Sequence, residues 1–83
     1  MHTAQYMNAL PGAKFKMKKI SVSLSGHQTS ISLEQEFVAA LHDIAQATKQ
    51  SVAKIIDKID ENRVPGTNLS SAVRIYILRY FRK

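Results

Sequence analysis

The feature that most constrains this chain is a change of hydrophobic period at residue 34. From Ser21 the sequence reads SVSLSGHQTSISL, in which polar and apolar side chains alternate. Alternation with a period of two is typical of strands that have one buried and one exposed face. From residue 34 onward, apolar side chains recur at spacings of three and four, which is typical of amphipathic helices. The sequence therefore predicts a short β ribbon that continues directly into helices.

The alternating segment predicts two strands, over about residues 19–24 and 29–33. With a four-residue turn between them, Leu24 lies opposite Thr29, and every apolar side chain of one strand faces an apolar or inward side chain of the other. The serines then share the second face of the ribbon. Those serines are Ser21, Ser23, Ser30 and Ser32. The same pattern also allows pairing between two chains.

The helical part of the sequence predicts three helices, over about residues 34–48, 51–62 and 69–82. Ser32 and Gln35 have the spacing of a capping box at the start of the first helix. Ser51 is suited to the N-cap of the second helix, and Asn68 to that of the third, with Ser70 as its alternative. Apolar positions at strand and helix spacing give a predicted core, which in a dimer is shared between the chains. Its members are Ile31, Leu33, Phe37, Leu41, Ile44, Val52, Ile55, Ile56 and Ile59.

Length and composition set the class of protein. The 83 residues form a single domain whose core is small, and a second copy of the chain is the simplest support for it. The chain has no cysteine, which excludes disulfides and thiolate chemistry and suits a reducing cytoplasm. It shows no signal-peptide pattern and no run of about twenty apolar residues, so we expect a soluble cytoplasmic protein without a membrane span. We expect residues 1–13 to form a flexible arm ahead of a domain over residues 14–83.

The net charge of +6 is unevenly distributed. Residues 1–33 contain four lysines and no acid, all six acids lie between Glu34 and Glu61, and five cations follow. Basic segments on both sides of an acidic one suit a polyanionic partner. The lysines before the ribbon form a cluster that we expect to contact phosphate. They are Lys14, Lys16, Lys18 and Lys19.

No motif in the chain predicts catalysis or a bound cofactor. There is no glycine-rich phosphate loop, no serine, histidine and aspartate set with a positioned base, and no carboxylate pair in an apolar setting. His2, His27 and His42 lack the spacing of metal ligands. The sequence therefore predicts neither an enzyme nor a metal site.

The motif SVSL.GH.TSISLE..F, followed late in the chain by NLSSA.R, resembles the ribbon-helix-helix family of short bacterial proteins. The matching positions are Ser21–Leu24, Gly26, His27, Thr29–Glu34, Phe37, Asn68–Ala72 and Arg74. The resemblance implies a mainly α homodimer with a short β ribbon, in which one strand of each chain pairs antiparallel above the helices. An N-terminal strand and a third C-terminal helix are additions to the minimal strand-helix-helix fold.

The resemblance also implies a transcriptional regulator whose ribbon enters the major groove of double-stranded DNA. Gln28, Ser30 and Ser32 then face the bases, and the first turn of the second helix holds a phosphate. That turn consists of Ser51, Val52 and Ala53, assisted by Lys54. Serine hydroxyls discriminate bases weakly, so we expect Gln28 and the lysines to supply much of the affinity.

One alternative remains open at the level of sequence. The same dimer could act as a protein-interaction module, such as an antitoxin or an assembly adaptor, with its third helix as the contact surface and without reading a DNA sequence. The basic, aromatic end RIYILRYFRK also suits a membrane surface, but its apolar stripe at helical spacing is better explained by packing against the core.

Overall fold

The computed structural model describes residues 15–83 and contains a two-stranded sheet followed by three helices. The elements are β1 (Met17–Leu24), β2 (His27–Glu34), α1 (Gln35–Thr48), α2 (Val52–Asn62) and α3 (Leu69–Phe81). This confirms the predicted ribbon, the two helices that follow it and the additional strand and third helix. The predicted arm over residues 1–13 and Lys14 lie outside the described residues.

β1 and β2 form an antiparallel hairpin with a two-residue turn. Ser25 and Gly26 have φ angles of 51° and 82°, and this pair of positive angles is what a type I′ turn requires. Leu24 consequently lies opposite His27 and not opposite Thr29. The predicted four-residue turn is wrong, and the register is displaced by two residues. Because two residues are one period of a strand, the serines still share one face.

The helices cover one face of this hairpin. α2 packs against β1, α3 packs against β2, and α1 contacts both strands. The side chains that they enclose with the hairpin are all apolar. The buried ones are Val22, Leu24, Ile31, Leu33, Val38, Leu41, Ile44, Ala45, Ile55, Ile56, Val73 and Ile77. Within residues 15–83, none of the helices has the length and apolar content that a membrane crossing requires.

The predicted dimer core is filled within one chain. Six of its nine members are buried in the single chain, and the other three pack against them partly buried. The three partly buried ones are Phe37, Val52 and Ile59. The residues were therefore correctly identified as apolar and inward-facing, but the hairpin and α3 of the same chain already cover them.

The start of α1 differs from the predicted capping box. Ser32 lies within β2, and the pairing of the strands extends so far that the Gln35 amide still donates a hydrogen bond to the Lys16 carbonyl, at 2.8 Å. Glu34 occupies the N-cap position, but its side chain does not cap the helix. It accepts a hydrogen bond from Arg74 instead. The capping-box prediction is wrong because the strand pairing holds Ser32 in extended backbone.

The predicted N-caps of the other two helices are confirmed. The Ser51 hydroxyl accepts a hydrogen bond from the Lys54 amide at 3.0 Å, and the Asn68 side-chain oxygen accepts one from the Ser71 amide at 3.1 Å. α1 ends at Thr48, and the residue that follows it, Lys49, has a φ of 56°. This left-handed residue satisfies the last carbonyls of α1 and turns the chain sharply into α2.

Candidate nucleic-acid interface

The face of the hairpin that points away from the helices is polar, and we call it the outer face. Its eight residues are Met17, Lys19, Ser21, Ser23, Gln28, Ser30, Ser32 and Glu34. All of them are exposed except Glu34, which is partly buried. Ser21 lies directly opposite Ser30, and Lys19 lies opposite Ser32. The register thus builds a continuous surface of hydroxyl groups with a lysine near the end that leads into α1.

The residues predicted to face bases all lie on the outer face. Gln28, Ser30 and Ser32 alternate along β2 with the buried Ile31 and Leu33. Each hydroxyl donates and accepts hydrogen bonds, and the Gln28 amide does both through separate atoms. This set of side chains can meet either donors or acceptors on a base edge.

The predicted lysine cluster is divided between the two faces. Lys19 lies on the outer face, whereas Lys18 is on the side of Ile20 and lies opposite Leu33. Lys16 precedes β1, and its carbonyl pairs with the start of α1. Lys16, Lys18 and Lys19 are all exposed. They belong to β1 or precede it, and β2 contains no lysine or arginine.

The N-terminus of α2 is where the sequence predicts a phosphate clamp, formed by the amides of Ser51, Val52 and Ala53 with the help of Lys54, and the Lys54 amide itself is occupied. The Ser51 hydroxyl accepts a hydrogen bond from the Lys54 amide, and the Ser51 carbonyl accepts one from the Ile55 amide. The amides of Val52 and Ala53, in the first turn, have no intrahelical acceptor. With the Ser51 amide and the exposed Lys54 ammonium, they make up the phosphate clamp predicted from the sequence.

An ion pair joins β2 to α3 at the point where the ribbon becomes a helix. Arg74 Nε donates to Glu34 Oε1 at 2.8 Å, and the guanidinium lies 5.8 Å from the centre of the Phe37 ring. The hydrogen bond from Arg74, followed by the backbone amide of Glu34 itself, lowers the pKa of the Glu34 carboxyl below its ordinary value. Glu34 is the only acid on the outer face, so this pair neutralises the negative charge there.

Sequence reasoning assigned no role to this pair. Arg74 appears in the NLSSA.R motif, and Glu34 stands at the change of period, but the two residues are 40 positions apart. The sequence feature that could have indicated the pair was the presence of one partner in each of the two motifs. Local periodicity cannot pair residues that are so far apart in the chain.

A groove of about 480 Å³ runs between α2 and α3. Its apolar lining consists of Ile55, Ile59, Val64, Ala72, Ile75 and Tyr76, with Lys58 and Arg79 among the polar lining residues. No strand residue lines it, so the groove is separate from the outer face. Elsewhere in residues 15–83, no cluster of three or more His, Cys, Asp or Glu side chains is arranged to hold a metal ion.

Comparison with known families finds a match that covers most of the chain. The model of the ribbon-helix-helix domain matches residues 17–81, from the first residue of β1 to the last residue of α3. Neither a curated protein nor a solved structure matches the chain. The matched range includes both strands, so the hairpin and the third helix are part of the family pattern that this chain follows.

Proposed function

Since the chain belongs to the ribbon-helix-helix domain family, we propose that it is a homodimeric DNA-binding protein that acts as a transcriptional regulator. Domains of this family generally form dimers and bind DNA, and the family is typically non-enzymatic. The observation that carries the proposal is the outer face. It presents hydroxyl and amide groups on β2, which leads directly into α1, and an ammonium group on β1, and its one acid is paired with Arg74.

The homodimer forms in this proposal through the open edge of β2. In a two-residue hairpin, the pair beside the turn is hydrogen bonded, and such pairs alternate with non-bonded ones. Leu24 and His27 are that pair, so Gln28, Ser30 and Ser32 direct their backbone groups away from β1. A second β2 therefore finds a row of free donors and acceptors. Antiparallel pairing of the two β2 strands leaves β1 at each margin of a four-stranded sheet.

The width of that sheet determines how it meets DNA. Four strands at about 4.8 Å spacing span about 14 Å, whereas the major groove is about 12 Å wide. The two central β2 strands enter the groove, and the β1 strands lie at its rims beside the phosphates. The distribution of side chains supports this arrangement, since the lysines belong to β1 or precede it and the neutral hydrogen-bonding side chains belong to β2.

The roles of the individual residues follow from their chemistry. Gln28 is suited to a bidentate contact with adenine, while Ser30 and Ser32 accept or donate to several bases. Sequence preference is consequently modest, with Gln28 as its main source. Lys19 on the outer face, with Lys16 and Lys14 ahead of it, contacts the phosphates at the groove rim. Lys18 points to the other face of the hairpin and takes no part in this contact.

The first turn of α2 holds a further phosphate in this proposal. The amides of Val52 and Ala53 point at the anion, the helix dipole favours it, and Lys54 adds a full positive charge. Ser51 keeps the turn in shape through its cap. These contacts position the dimer on the duplex and carry no base information.

The proposal is tested by titrating the full chain with a fluorescent DNA duplex over a series of salt concentrations. We expect log K to fall linearly with log salt, with a slope of about −0.9 for each phosphate contacted. The proposal is refuted by the absence of binding at low salt, and equally by a slope near zero.

A second candidate function is supported by the groove between α2 and α3. Val64 and Ile75 are exposed apolar residues at its margin, and a protein partner could dock there without using the outer face. In that case Val64→Glu abolishes partner binding and leaves the DNA titration unchanged. Loss of DNA binding by Val64→Glu with the fold intact would argue against a separate interaction module.

A further inference from the structure

The groove between α2 and α3 is lined by a matching face of each helix. On α2 the lining positions are 55, 58, 59 and 62, and on α3 they are 72, 75, 76 and 79. Both sets have the spacing of neighbours on one side of a helix. No residue of the hairpin or of α1 lines the groove, so it opens on a side of the helix pair that they do not cover. Its volume of about 480 Å³ lies within the range of small-molecule sites, roughly 300–1,000 Å³.

We propose that the groove binds a small amphipathic carboxylate, that is, a molecule with an apolar body and one carboxylate head. The proposal goes beyond DNA binding and does not depend on it, because no strand residue lines the groove. It also differs from the docking of a protein partner in the same place. Two features of the lining select this ligand, an apolar wall along the groove and a positive charge at one end.

The wall of the groove suits an apolar body. Ile55 is buried, with 2% of its surface exposed, and Ile59 and Tyr76 are partly buried beside it. Ile75 and Val64 also line the groove and are 46% and 70% exposed. A ligand that lies along the groove removes these two exposed side chains from water, which favours binding in proportion to the apolar area buried.

The positive charge is concentrated at the end of the groove where α2 begins. Lys58 reaches back to this end, because its Nζ donates a hydrogen bond to the Gln50 side-chain oxygen at 2.9 Å. A short connection joins α2 to α3 and makes them antiparallel neighbours, so Arg79, near the end of α3, lies at the same end. Next to the connection, the polar lining residues Asn62 and Thr67 are uncharged. The groove therefore has a cationic end and a neutral end.

Both cations can meet an anion. No Asp or Glu lines the groove, and the ion pairs within residues 15–83 involve Arg63 and Arg74. The Gln50 oxygen carries no full charge, so its hydrogen bond leaves the Lys58 ammonium uncompensated, with further N–H groups for a ligand. The planar guanidinium of Arg79 matches the two oxygens of a carboxylate. A carboxylate head placed here directs its apolar body along the wall toward the connection.

Two occupants from this chain itself fit the charge less well. Residues 1–14 contain no Asp or Glu, so they do not complement a cationic end. Two copies that meet groove to groove about a two-fold axis bring Lys58 and Arg79 of both chains into a contact whose lining contains no acid. A small anion neutralises the same charges instead.

The test titrates the full 15N-labelled chain with two probes that share an apolar body and differ in the charge of the head. They are decanoate and decyltrimethylammonium, each kept below its micelle concentration at constant ionic strength. We expect decanoate to shift the amides of residues 55–62 and 72–79 in a saturable manner and to leave those of residues 28–32 unchanged. Decanoate should bind at least about tenfold tighter than the cationic probe, as for hydrogen bonds to a charged group.

Two matched pairs of variants on α3 and at its end identify the groups involved. Arg79→Gln removes a cation that lines the groove, and Arg82→Gln removes one that does not. We expect Arg79→Gln to weaken decanoate binding at least about fivefold and Arg82→Gln less than about twofold. Ile75→Ala should weaken both probes about fivefold, whereas Leu78→Ala, at an exposed position outside the groove, should weaken neither. Far-UV circular dichroism verifies that all variants stay helical.

The comparison of probes and variants can overturn the proposal directly. It fails if decanoate gives no saturable shift in the groove, or if the two probes bind equally well. Equal losses for Arg79→Gln and Arg82→Gln would also overturn it, because they would show attraction to the general surface charge. A chain that binds decanoate in the groove but no DNA supports the ligand site and refutes the proposed function, whereas the reverse result overturns the ligand site alone.

Other results would overturn the proposal by assigning the groove to a different occupant. Nuclear Overhauser contacts between residues 1–14 and the groove in the free chain would assign it to that segment. A dimer that decanoate dissociates in sedimentation equilibrium would assign it to a second copy. Tighter binding of an amphipathic helical peptide of leucine and glutamate at the same amides would assign it to a protein partner.

Discussion

The substitution Lys19→Ala tests the placement of β1 at the rim of the major groove. Lys19 is the only cation among the eight residues of the outer face, and a homodimer contains it twice. If each copy lies against one phosphate, the substitution removes two phosphate contacts and makes the slope of log K against log salt shallower by about 1.8. Because the electrostatic contribution vanishes near 1 M salt, this corresponds to roughly 60-fold weaker binding at 0.1 M.

The matched control is Lys58→Ala, which removes the same charge from a different surface. Lys58 Nζ donates to Gln50 Oε1 at 2.9 Å beside the groove between α2 and α3, and no strand residue lines that groove. Fluorescence anisotropy with one duplex at five salt concentrations gives all three slopes. We expect Lys58→Ala to follow the wild-type line. Equal slopes for Lys19→Ala and wild type, or equal losses for both variants, would refute the placement of β1.

Three further predictions concern the outer face, the core and the ion pair. Ser30→Ala should change the ranking of duplex sequences in a binding selection and lower total affinity less than Lys19→Ala; a uniform loss over all sequences contradicts direct contact with bases. Leu33→Ala should lower the free energy of unfolding by about 2–5 kcal/mol in a urea titration, because Leu33 is fully buried; a loss below 1 kcal/mol would show that the site collapses around the cavity. Glu34 has a lowered pKa, so its pair with Arg74 stabilises the fold above the ordinary pKa of glutamate, and this contribution disappears as the pH falls through the lowered value. Arg74→Ala should therefore lose less stability than the wild type between pH 6 and pH 3, and equal losses in the two proteins would show that the pair does not couple stability to pH.

The elements of the fold were predictable because each has a local signal. The change from alternation to helical spacing at residue 34 marks the end of the ribbon, and the hydroxyl of Ser51 and the amide side chain of Asn68 mark two helix starts. The register of the hairpin was not predictable in the same way. It depends on Ser25 adopting positive φ, which is uncommon for a residue other than glycine and leaves no trace in the hydrophobic pattern.

The candidate site shows the same limit. Alternation correctly assigned Gln28, Ser30 and Ser32 to one face, because the period of a strand survives a displacement of two residues. The lysine cluster was treated as one patch, although Lys18 and Lys19 are neighbours in a strand and must point to opposite faces. Periodicity also identifies which side chains are inward, but it cannot say which chain covers them. Ile55 and Ile56 show this limit, because they were predicted to lie in a dimer core and are already buried within one copy.

The most direct test of DNA recognition by the outer face is an amide-resolved NMR titration of the 15N-labelled chain with a duplex. The account predicts that the amides of residues 28–32 and 51–54 shift in proportion to DNA added and saturate at two chains per site. The amides near the exposed Val64, beside the groove, should stay unchanged. Shifts confined to the groove residues, with residues 28–32 unaffected at saturation, would contradict the claim that the ribbon is the surface that binds DNA.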